Sequence, residues 1–349
     1  MPHTVTVAVS GGLDDVSGGS YYNRRMIESL TGLGWSVDVR ELQGSFPSPA
    51  DADVAAAARA IAGVPDGRTL VIDGLAGSAL PGVLESHADR LRIVPLVHLP
   101  IAAEAGLSVE TAARYRASEQ RALASAKQVI VTGSAAVGLL APYDLQAPII
   151  VVEPGTDAAP LAKGSSNQAV QLLSVAALTP GKGHDILLKA LARVPIDTWR
   201  LIVAGSTTRH PPSAARVKAL SRELGLDGRV QFAGELDREA VSRAYDAADV
   251  FVLATLSETY GMAVAEALAR GLPVVSTATG AIPTLVGDAA GIVVPPGDVA
   301  ALAVALQRII ADQSERTRLA AGAARVRRTL PTWEDAARRF GAALEGSQA

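Results

Sequence analysis

Two glutamates stand on either side of a glycine in residues 257–276. Glu258 precedes Gly261 and Glu266 follows it, so that seven residues separate the two carboxylates. The stretch is typical of a loop, a helix that begins near the glycine, a helix stop and a buried strand. Because the first amides of a helix lack partners and carry the positive end of its dipole, this pattern favours phosphate binding. Carboxylates that flank a phosphate suit the hydroxyls of a sugar and a ribose.

The elements that must position these residues indicate parallel α/β layers. Short apolar runs alternate with helical patterns almost throughout the 349 residues, a length that favours two domains. The pattern breaks down over residues 155–167, where Pro160, Gly164 and neighbouring polar residues predict a linker. We predict doubly wound domains over 1–163 and 168–330, then a helical segment over 331–349. In such sheets, ligands lie beyond the carboxyl ends of the strands.

Composition narrows the class of protein. The chain has no cysteine, which excludes disulfides, cysteine catalysis and thiolate metal sites. Its net charge of −3 gives no case for nucleic acid as the main partner. The first residues lack a signal-peptide pattern, and no apolar run approaches the ~20 residues that cross a bilayer. The helical pattern over 111–127 mixes arginine with glutamate, which favours a solvated face over membrane association. We expect a cytoplasmic protein.

Residues 257–276 resemble the E-x7-E signature of the retaining, GT-B-fold sugar transferases of glycosyltransferase family 4. The serine, both glutamates, the helix-ending glycine, the proline and the paired valines all stand where that family has them. The resemblance extends over nearly the whole chain. It implies a GT-B fold, with two Rossmann-like domains facing each other across a cleft and a last helix that crosses back to the first domain. Residues 1–163 would then serve the acceptor and 168–330 the nucleotide-sugar donor.

The resemblance implies three catalytic residues. Glu258 would orient sugar hydroxyls and offset positive charge near the reacting carbon, and Lys182 would bind the leaving diphosphate. His98, at the end of a buried run, would position the donor sugar. On sequence alone, a histidine at such a place is more often held by local backbone groups.

The same resemblance implies contacts to the donor in four segments. A glycine pair opens the first helix, a strand-following loop receives the base, amides at a helix start bind the diphosphate, and a glutamate binds the ribose. These residues are Gly18, Gly19, Gly234, Glu235, Leu236, Gly261, Met262, Ala263 and Glu266. The glycine pair alone is more typical of a plain turn.

The chain departs from the family at Ala177, where the family has an arginine on the donor diphosphate. A guanidinium forms a bidentate, charge-assisted contact that alanine lacks. Either another cation, such as Arg209 or Arg24, takes its place, or donor binding is altered.

The resemblance implies transfer of a hexose-type sugar from a UDP- or GDP-sugar to an acceptor hydroxyl, with retention at the anomeric carbon. No cofactor or metal is expected, because no D-x-D pattern ends a strand and a helix start with a lysine can replace a divalent cation. The acceptor is left open among small molecules, natural products, glycans and lipids. Two alternatives stand beside this interpretation: a nucleotide-sugar epimerase, which the E-x7-E stretch argues against, and a non-catalytic sugar-nucleotide binder, which Ala177 favours.

Overall fold

The computed structural model describes residues 3–165 and 168–346, and the chain divides into two compact units. The first unit runs up to Gly155 and takes in the chain again from Pro331, while the second unit is Thr156–Leu330.

The boundary differs from the predicted one, because residues 156–163 belong with the second unit. There, the amide of Ala162 donates to the carbonyl of Arg270 at 2.9 Å, and Lys163 pairs with Asp246 at 2.8 Å. Of the predicted linker, residues 166 and 167 lie outside the described residues.

A six-stranded parallel sheet forms the centre of the first unit, in the order β2-β1-β3-β4-β5-β6. Helices on both faces leave its inner strands fully buried, which explains their continuous Val- and Ile-rich runs. The order reverses between β1 and β3, so the loops after these strands meet at a topological switch point. The strands are β1 (Thr4–Ser10), β2 (Ser36–Leu42), β3 (Thr69–Asp73), β4 (Arg92–Val97), β5 (Val129–Val131) and β6 (Ile149–Val151).

The first helix of this unit begins where its sequence provides a cap. The hydroxyl of Ser17 accepts a hydrogen bond from the amide of Ser20 at 3.0 Å, which satisfies one free N–H of the first turn. The helices are α1 (Gly18–Gly32), α2 (Asp51–Ala62), α3 (Gly74–Gly77), α4 (Pro81–Glu85), α5 (Val109–Ala124) and α6 (Ser134–Leu140).

The second unit contains another six-stranded parallel sheet, in the order β12-β11-β10-β7-β8-β9. Counted within the unit, this is the order 3-2-1-4-5-6 of dinucleotide-binding domains read from the opposite edge. Its switch point lies between β7 and β10. The strands are β7 (Val170–Val175), β8 (Trp199–Ala204), β9 (Val230–Gly234), β10 (Val250–Leu253), β11 (Val274–Thr277) and β12 (Gly291–Val294).

Helices α7 to α13 connect and cover these strands. They bury apolar faces rich in leucine, isoleucine and alanine against the sheet. The helices are α7 (His184–Leu191), α8 (Pro211–Glu223), α9 (Arg238–Asp246), α10 (Met262–Ala269), α11 (Ile282–Ala290), α12 (Val299–Ala311) and α13 (Gln313–Val326). Within the described part of the chain, no helix is both long and apolar enough to span a membrane.

The last helix, α14 (Trp333–Glu345), returns to the first unit, and the predicted crossing is confirmed. A capping box between Thr332 and Asp335 starts it. Its buried face includes Phe340, and the ring of Trp333 packs 5.7 Å from that of Tyr22 in α1. The first unit is therefore completed by residues from the far end of the chain.

We expect Phe340→Ala to destabilise the first unit by about 3–5 kcal/mol, because it removes a fully buried aromatic ring. Hydrogen exchange checks the location of the effect: amides of β1 to β6 should lose protection, and those of β7 to β12 should keep theirs. Arg338→Ala, at an exposed position two residues earlier, is the matched control. Equal loss of protection in both sheets would contradict the assignment of α14 to the first unit.

Candidate functional site

An ion pair joins two loops at the switch point of the second unit. The Nζ atom of Lys182, in the loop after β7, lies 2.7 Å from Oε2 of Glu258, in the loop after β10. The same loops are joined through the carbonyl of Gly181, which accepts from the amide of Leu256 at 2.7 Å and the hydroxyl of Thr255 at 3.0 Å. The structure therefore brings together two of the three predicted catalytic residues.

Lys182 is positioned by a tight turn that only glycine can close. Residues Pro180–Lys182 form a 3-10 turn that ends at Gly183, whose φ is +62°. A Cβ atom on Gly183 would lie 2.0 Å from the carbonyl oxygen of Ala254. Both the positive φ and the close approach require glycine, and they fix the loop after β7 against the end of β10.

The loop that carries Glu258 is held from its other side by the turn after β11. Gly280 has a φ of +54°, and a Cβ atom there would lie 2.3 Å from the carbonyl oxygen of Glu258. The amide of Ala281 donates to the carbonyl of Thr259 at 3.1 Å. Contacts among the loops after β7, β10 and β11 thus determine the position of the Glu258 carboxylate.

Helix α10 begins directly after this loop. Gly261 caps it with a φ of +97°, and Met262 and Ala263, both partly buried, are its first helical residues. Their amides are the free N–H groups of a first helical turn, next to the Lys182–Glu258 pair along the chain. The helix therefore begins where the sequence predicts it. Phosphate binding by its first amides stays a prediction.

Glu266, on the second turn of α10, has different partners from Glu258. Its Oε2 accepts from the hydroxyl of Tyr245 at 3.1 Å, and the guanidinium of Arg270 stacks 4.7 Å from the centre of the Tyr245 ring. Burial raises the pKa of Glu266, while the Tyr245 hydroxyl and the charge of Arg270 offset part of that rise. Sequence reasoning missed Tyr245, because nothing in the spacing relates it to α10.

The predicted base-binding residues lie where β9 ends: Gly234 is its last residue, and Glu235 and Leu236 begin the loop that follows. Gly234 has a φ of +71°, and its carbonyl accepts from the amide of Gly205 at 2.8 Å. Strand β9 is the edge strand, so this loop lies two strands away from β7. Glu235 is exposed, and Leu236 is partly buried.

In the first unit, the predicted glycine pair and His98 lie against each other. Gly18 and Gly19 open α1, and a Cβ atom on Gly19 would lie 3.2 Å from Cδ2 of His98. The Nε2 atom of His98 lies 3.3 Å from Oδ1 of Asn23 and 3.6 Å from Oδ2 of Asp73. The small residue at the helix start therefore makes room for the imidazole.

Asp73, at the end of β3, is the buried centre of this histidine network. Its carboxylate accepts from Nδ2 of Asn23 at 2.7 Å, from the hydroxyl of Ser10 at 3.2 Å and from the amide of Leu75 at 2.9 Å. Burial acts to raise the pKa of Asp73, but the contacts with His98, Asn23 and Leu75 lower it below its ordinary value. Sequence reasoning missed Asp73 and Asn23, because neither belongs to a motif.

The departure at Ala177 lies in the loop after β7. Its carbonyl accepts from Nε2–H of His184 at 3.2 Å. Burial lowers the pKa of His184 from its ordinary 6.5 to about 4, so this imidazole is neutral near pH 7.

Arg24, one of the two cations that could replace the missing arginine, is in the first unit, where its guanidinium lies 3.5 Å from Asp14. Across residues 3–165 and 168–346, no three His, Asp or Glu side chains are grouped as metal ligands would be.

Comparison with known proteins gives the family. Residues 160–326 match the family described as "Glycosyl transferases group 1". A D-inositol 3-phosphate glycosyltransferase from a Nocardioides species is 34% identical over 261 residues, which cover 67% of this chain and 56% of that protein. A protein of the same description from Kribbella flavida is 33% identical over 229 residues, 59% of this chain and 53% of its own length. The chain spans about half the length of the curated relatives it matches.

Solved structures agree on the fold. A sucrose-phosphate synthase from Thermosynechococcus elongatus superposes with a TM-score of 0.81 at 22% identity, covering 98% of both chains. HepE from Anabaena, solved with UDP and glucose, gives a TM-score of 0.77 at 16% identity over 98% of this chain and 100% of its own.

Two doubly wound units of this topology, with a last helix that returns to the first, define the GT-B fold. The chain belongs to the group 1 glycosyl transferases. Its E-x7-E stretch lies within the matched residues and is consistent with glycosyltransferase family 4.

The buried His184 should make the stability of the protein depend on pH. Since its pKa in the folded protein lies below that of the unfolded chain, the unfolded state binds the proton more readily between pH 6.5 and about 4. Stability should therefore be fully present above pH 6.5 and fall as the pH drops, by about 1.4 kcal/mol per pH unit from this residue. Thermal unfolding of wild type and His184→Gln between pH 7 and pH 4 measures this contribution.

The His184→Gln variant should show a shallower pH dependence than wild type, since glutamine does not titrate. Arg193→Gln, at an exposed position two residues after the end of α7, is the control and should keep the wild-type slope. An unchanged slope in His184→Gln would show that the imidazole is not buried and neutral.

Proposed function

We propose that this protein transfers a hexose-type sugar from a UDP- or GDP-sugar to an acceptor hydroxyl, with retention at the anomeric carbon and without a metal ion. The observation that carries the proposal is the Lys182–Glu258 pair at the switch point, directly before the helix start at Gly261. A cation, free amides and a carboxylate at one strand-end site match a diphosphate that leaves from a sugar.

In the proposed reaction, the bond between the anomeric carbon and the diphosphate oxygen breaks, and its electron pair stays on the diphosphate. Lys182 and the amides of Met262 and Ala263 stabilise the negative charge that develops there. Glu258 orients sugar hydroxyls and offsets the positive charge of the oxocarbenium-like sugar. The acceptor oxygen then forms the new bond and gives up its proton, which the departing diphosphate can take.

The remaining predicted residues hold the two ends of the donor. Glu266, with one oxygen bound by Tyr245, would accept hydrogen bonds from ribose hydroxyls with its remaining capacity. The backbone of Gly234, Glu235 and Leu236 would receive the base. In the first unit, His98 would contact sugar hydroxyls, in an orientation set by Asn23 and Asp73.

The acceptor to test first is chosen by analogy with the relatives. Their name, D-inositol 3-phosphate glycosyltransferase, makes inositol 3-phosphate the first acceptor to test, beside unphosphorylated inositol, glycans and lipids.

We expect Glu258→Gln to abolish sugar transfer, with a loss of about 100-fold or more in turnover, because it removes the carboxylate at the reacting carbon. The assay follows release of UDP or GDP from a panel of sugar nucleotides, and circular dichroism checks that the fold is intact. Glu239→Gln, an exposed glutamate of the same unit, is the control and should keep full activity.

The same assay separates the alternatives. A transferase releases the nucleotide, an epimerase changes the sugar without releasing it, and a non-catalytic binder does neither. Wild-type turnover in Glu258→Gln would contradict the assigned role. NMR of the anomeric carbon tests retention, and an inverted product would overturn it.

A further inference from the structure

The cation at the switch point is already neutralised within the protein. Lys182 and Glu258 form a 2.7 Å ion pair, so together they carry no net charge. A nucleoside diphosphate carries at least two negative charges near neutral pH. One paired lysine and the amides of α10 leave a deficit of positive charge at the place where the family has an arginine and this chain has Ala177.

The loops on the carboxyl side of the six strands of the second unit contain few cations. These loops, all within the described residues, are 176–183, 205–210, 235–237, 254–261, 278–281 and 295–298. Their only lysine or arginine residues are Lys182 and Arg209. Arg238, which opens α9 just after the third loop, is already paired with Asp157 at 2.9 Å.

The loop of Arg209 is bound directly to the loop of Ala177. The amide of Leu178 donates to the carbonyl of Ser206 at 3.0 Å, next to the Ala177 position. Gly205 approaches so closely that a Cβ atom there would lie 2.0 Å from the carbonyl oxygen of Ala176 and 2.8 Å from the amide nitrogen of Ala177. Strands β7 and β8 are adjacent and parallel, so both loops leave the sheet at the same edge.

Arg209 itself is available for a ligand. Its side chain is exposed, and it forms no salt bridge with the part of the chain that the structure describes. A short turn made by Ser206 and Thr208, whose hydroxyls lie 3.1 Å apart, precedes it, and Pro211 begins α8 two residues later. The arginine is thus held at the tip of a short, fixed loop.

We propose that Arg209 replaces the missing arginine at Ala177 and binds the donor diphosphate together with Lys182. This inference rests on the proposed function, and it moves the guanidinium from the loop after β7 to the adjoining loop after β8. The site then has two cations against the diphosphate, with Glu258 beside them.

Isothermal titration calorimetry with UDP, UMP, GDP and GMP tests the inference. We expect Arg209→Gln to weaken diphosphate binding by about 10- to 100-fold, which is the usual effect of losing a charge-assisted contact. The ratio of diphosphate to monophosphate affinity should fall as well, because the base and ribose contacts remain. Arg222→Gln, near the far end of α8, is the control and should bind like wild type.

A variant with a guanidinium at position 177 gives the decisive test. Adding Ala177→Arg to Arg209→Gln should return most of the lost diphosphate affinity, whereas a merely structural role of Arg209 would give no rescue. Arg209→Lys, which keeps the charge but loses the planar fork, should show an intermediate loss. The result for Arg209→Lys stays informative even if the loop after β7 cannot accommodate an arginine at position 177.

Two outcomes would overturn the inference in distinguishable ways. If Arg209→Gln binds diphosphates like wild type while Lys182→Gln binds them weakly, the role of Arg209 is wrong and the proposed function stands. If wild type binds neither UDP nor GDP, the proposed function fails and the inference fails with it.

Discussion

The ion pair between Lys182 and Glu258 is the interaction on which the candidate site depends. It joins residues 76 positions apart, because the loops after β7 and β10 meet only where the strand order reverses. Side-chain exposures of 31% for Lys182 and 18% for Glu258 mean that water screens the pair, so its contribution to stability is small. Its importance lies in chemistry: the lysine that should bind a diphosphate is held in place by the carboxylate that should face the sugar.

Glycines allow the loops around this ion pair to pack closely against one another. Gly183 and Gly280 have positive φ values, and each stands where a side chain would collide with a carbonyl of the loop after β10. Such packing leaves little freedom to the loop that carries Glu258. A comparable arrangement occurs in the first unit, where Gly19 lies against His98 and a buried Asp73 holds the imidazole through Asn23.

Much of this could be predicted from the sequence. The alternation of strand and helix patterns predicts two doubly wound domains, and the glycine within the E-x7-E stretch predicts a helix start near Gly261. The resemblance to glycosyltransferase family 4 led to Lys182 and Glu258. The pairing of the lysine with the glutamate could not be predicted, because it depends on strand order, which a single sequence does not encode locally.

Two features of the structure were not predicted, and each has a physical cause. The composition of residues 155–167 is typical of a linker, but Ala162 and Lys163 form backbone hydrogen bonds with the second unit, and tertiary contacts override composition there. Asp73 and Asn23 were missed because neither belongs to a motif. Their importance appears only when β3 and α1 are placed beside His98.

We expect that Lys182 binds the donor diphosphate and that Glu258 competes for this lysine until the donor binds. Calorimetric affinities of UDP and GDP for wild type, Glu258→Gln, Lys182→Gln and the double variant measure this competition. Glu258→Gln should bind diphosphate about 5-fold more tightly than wild type, because Lys182 is released, and the double variant should bind as weakly as Lys182→Gln. Diphosphate binding in Glu258→Gln as weak as in Lys182→Gln would show that Glu258 does not compete for Lys182.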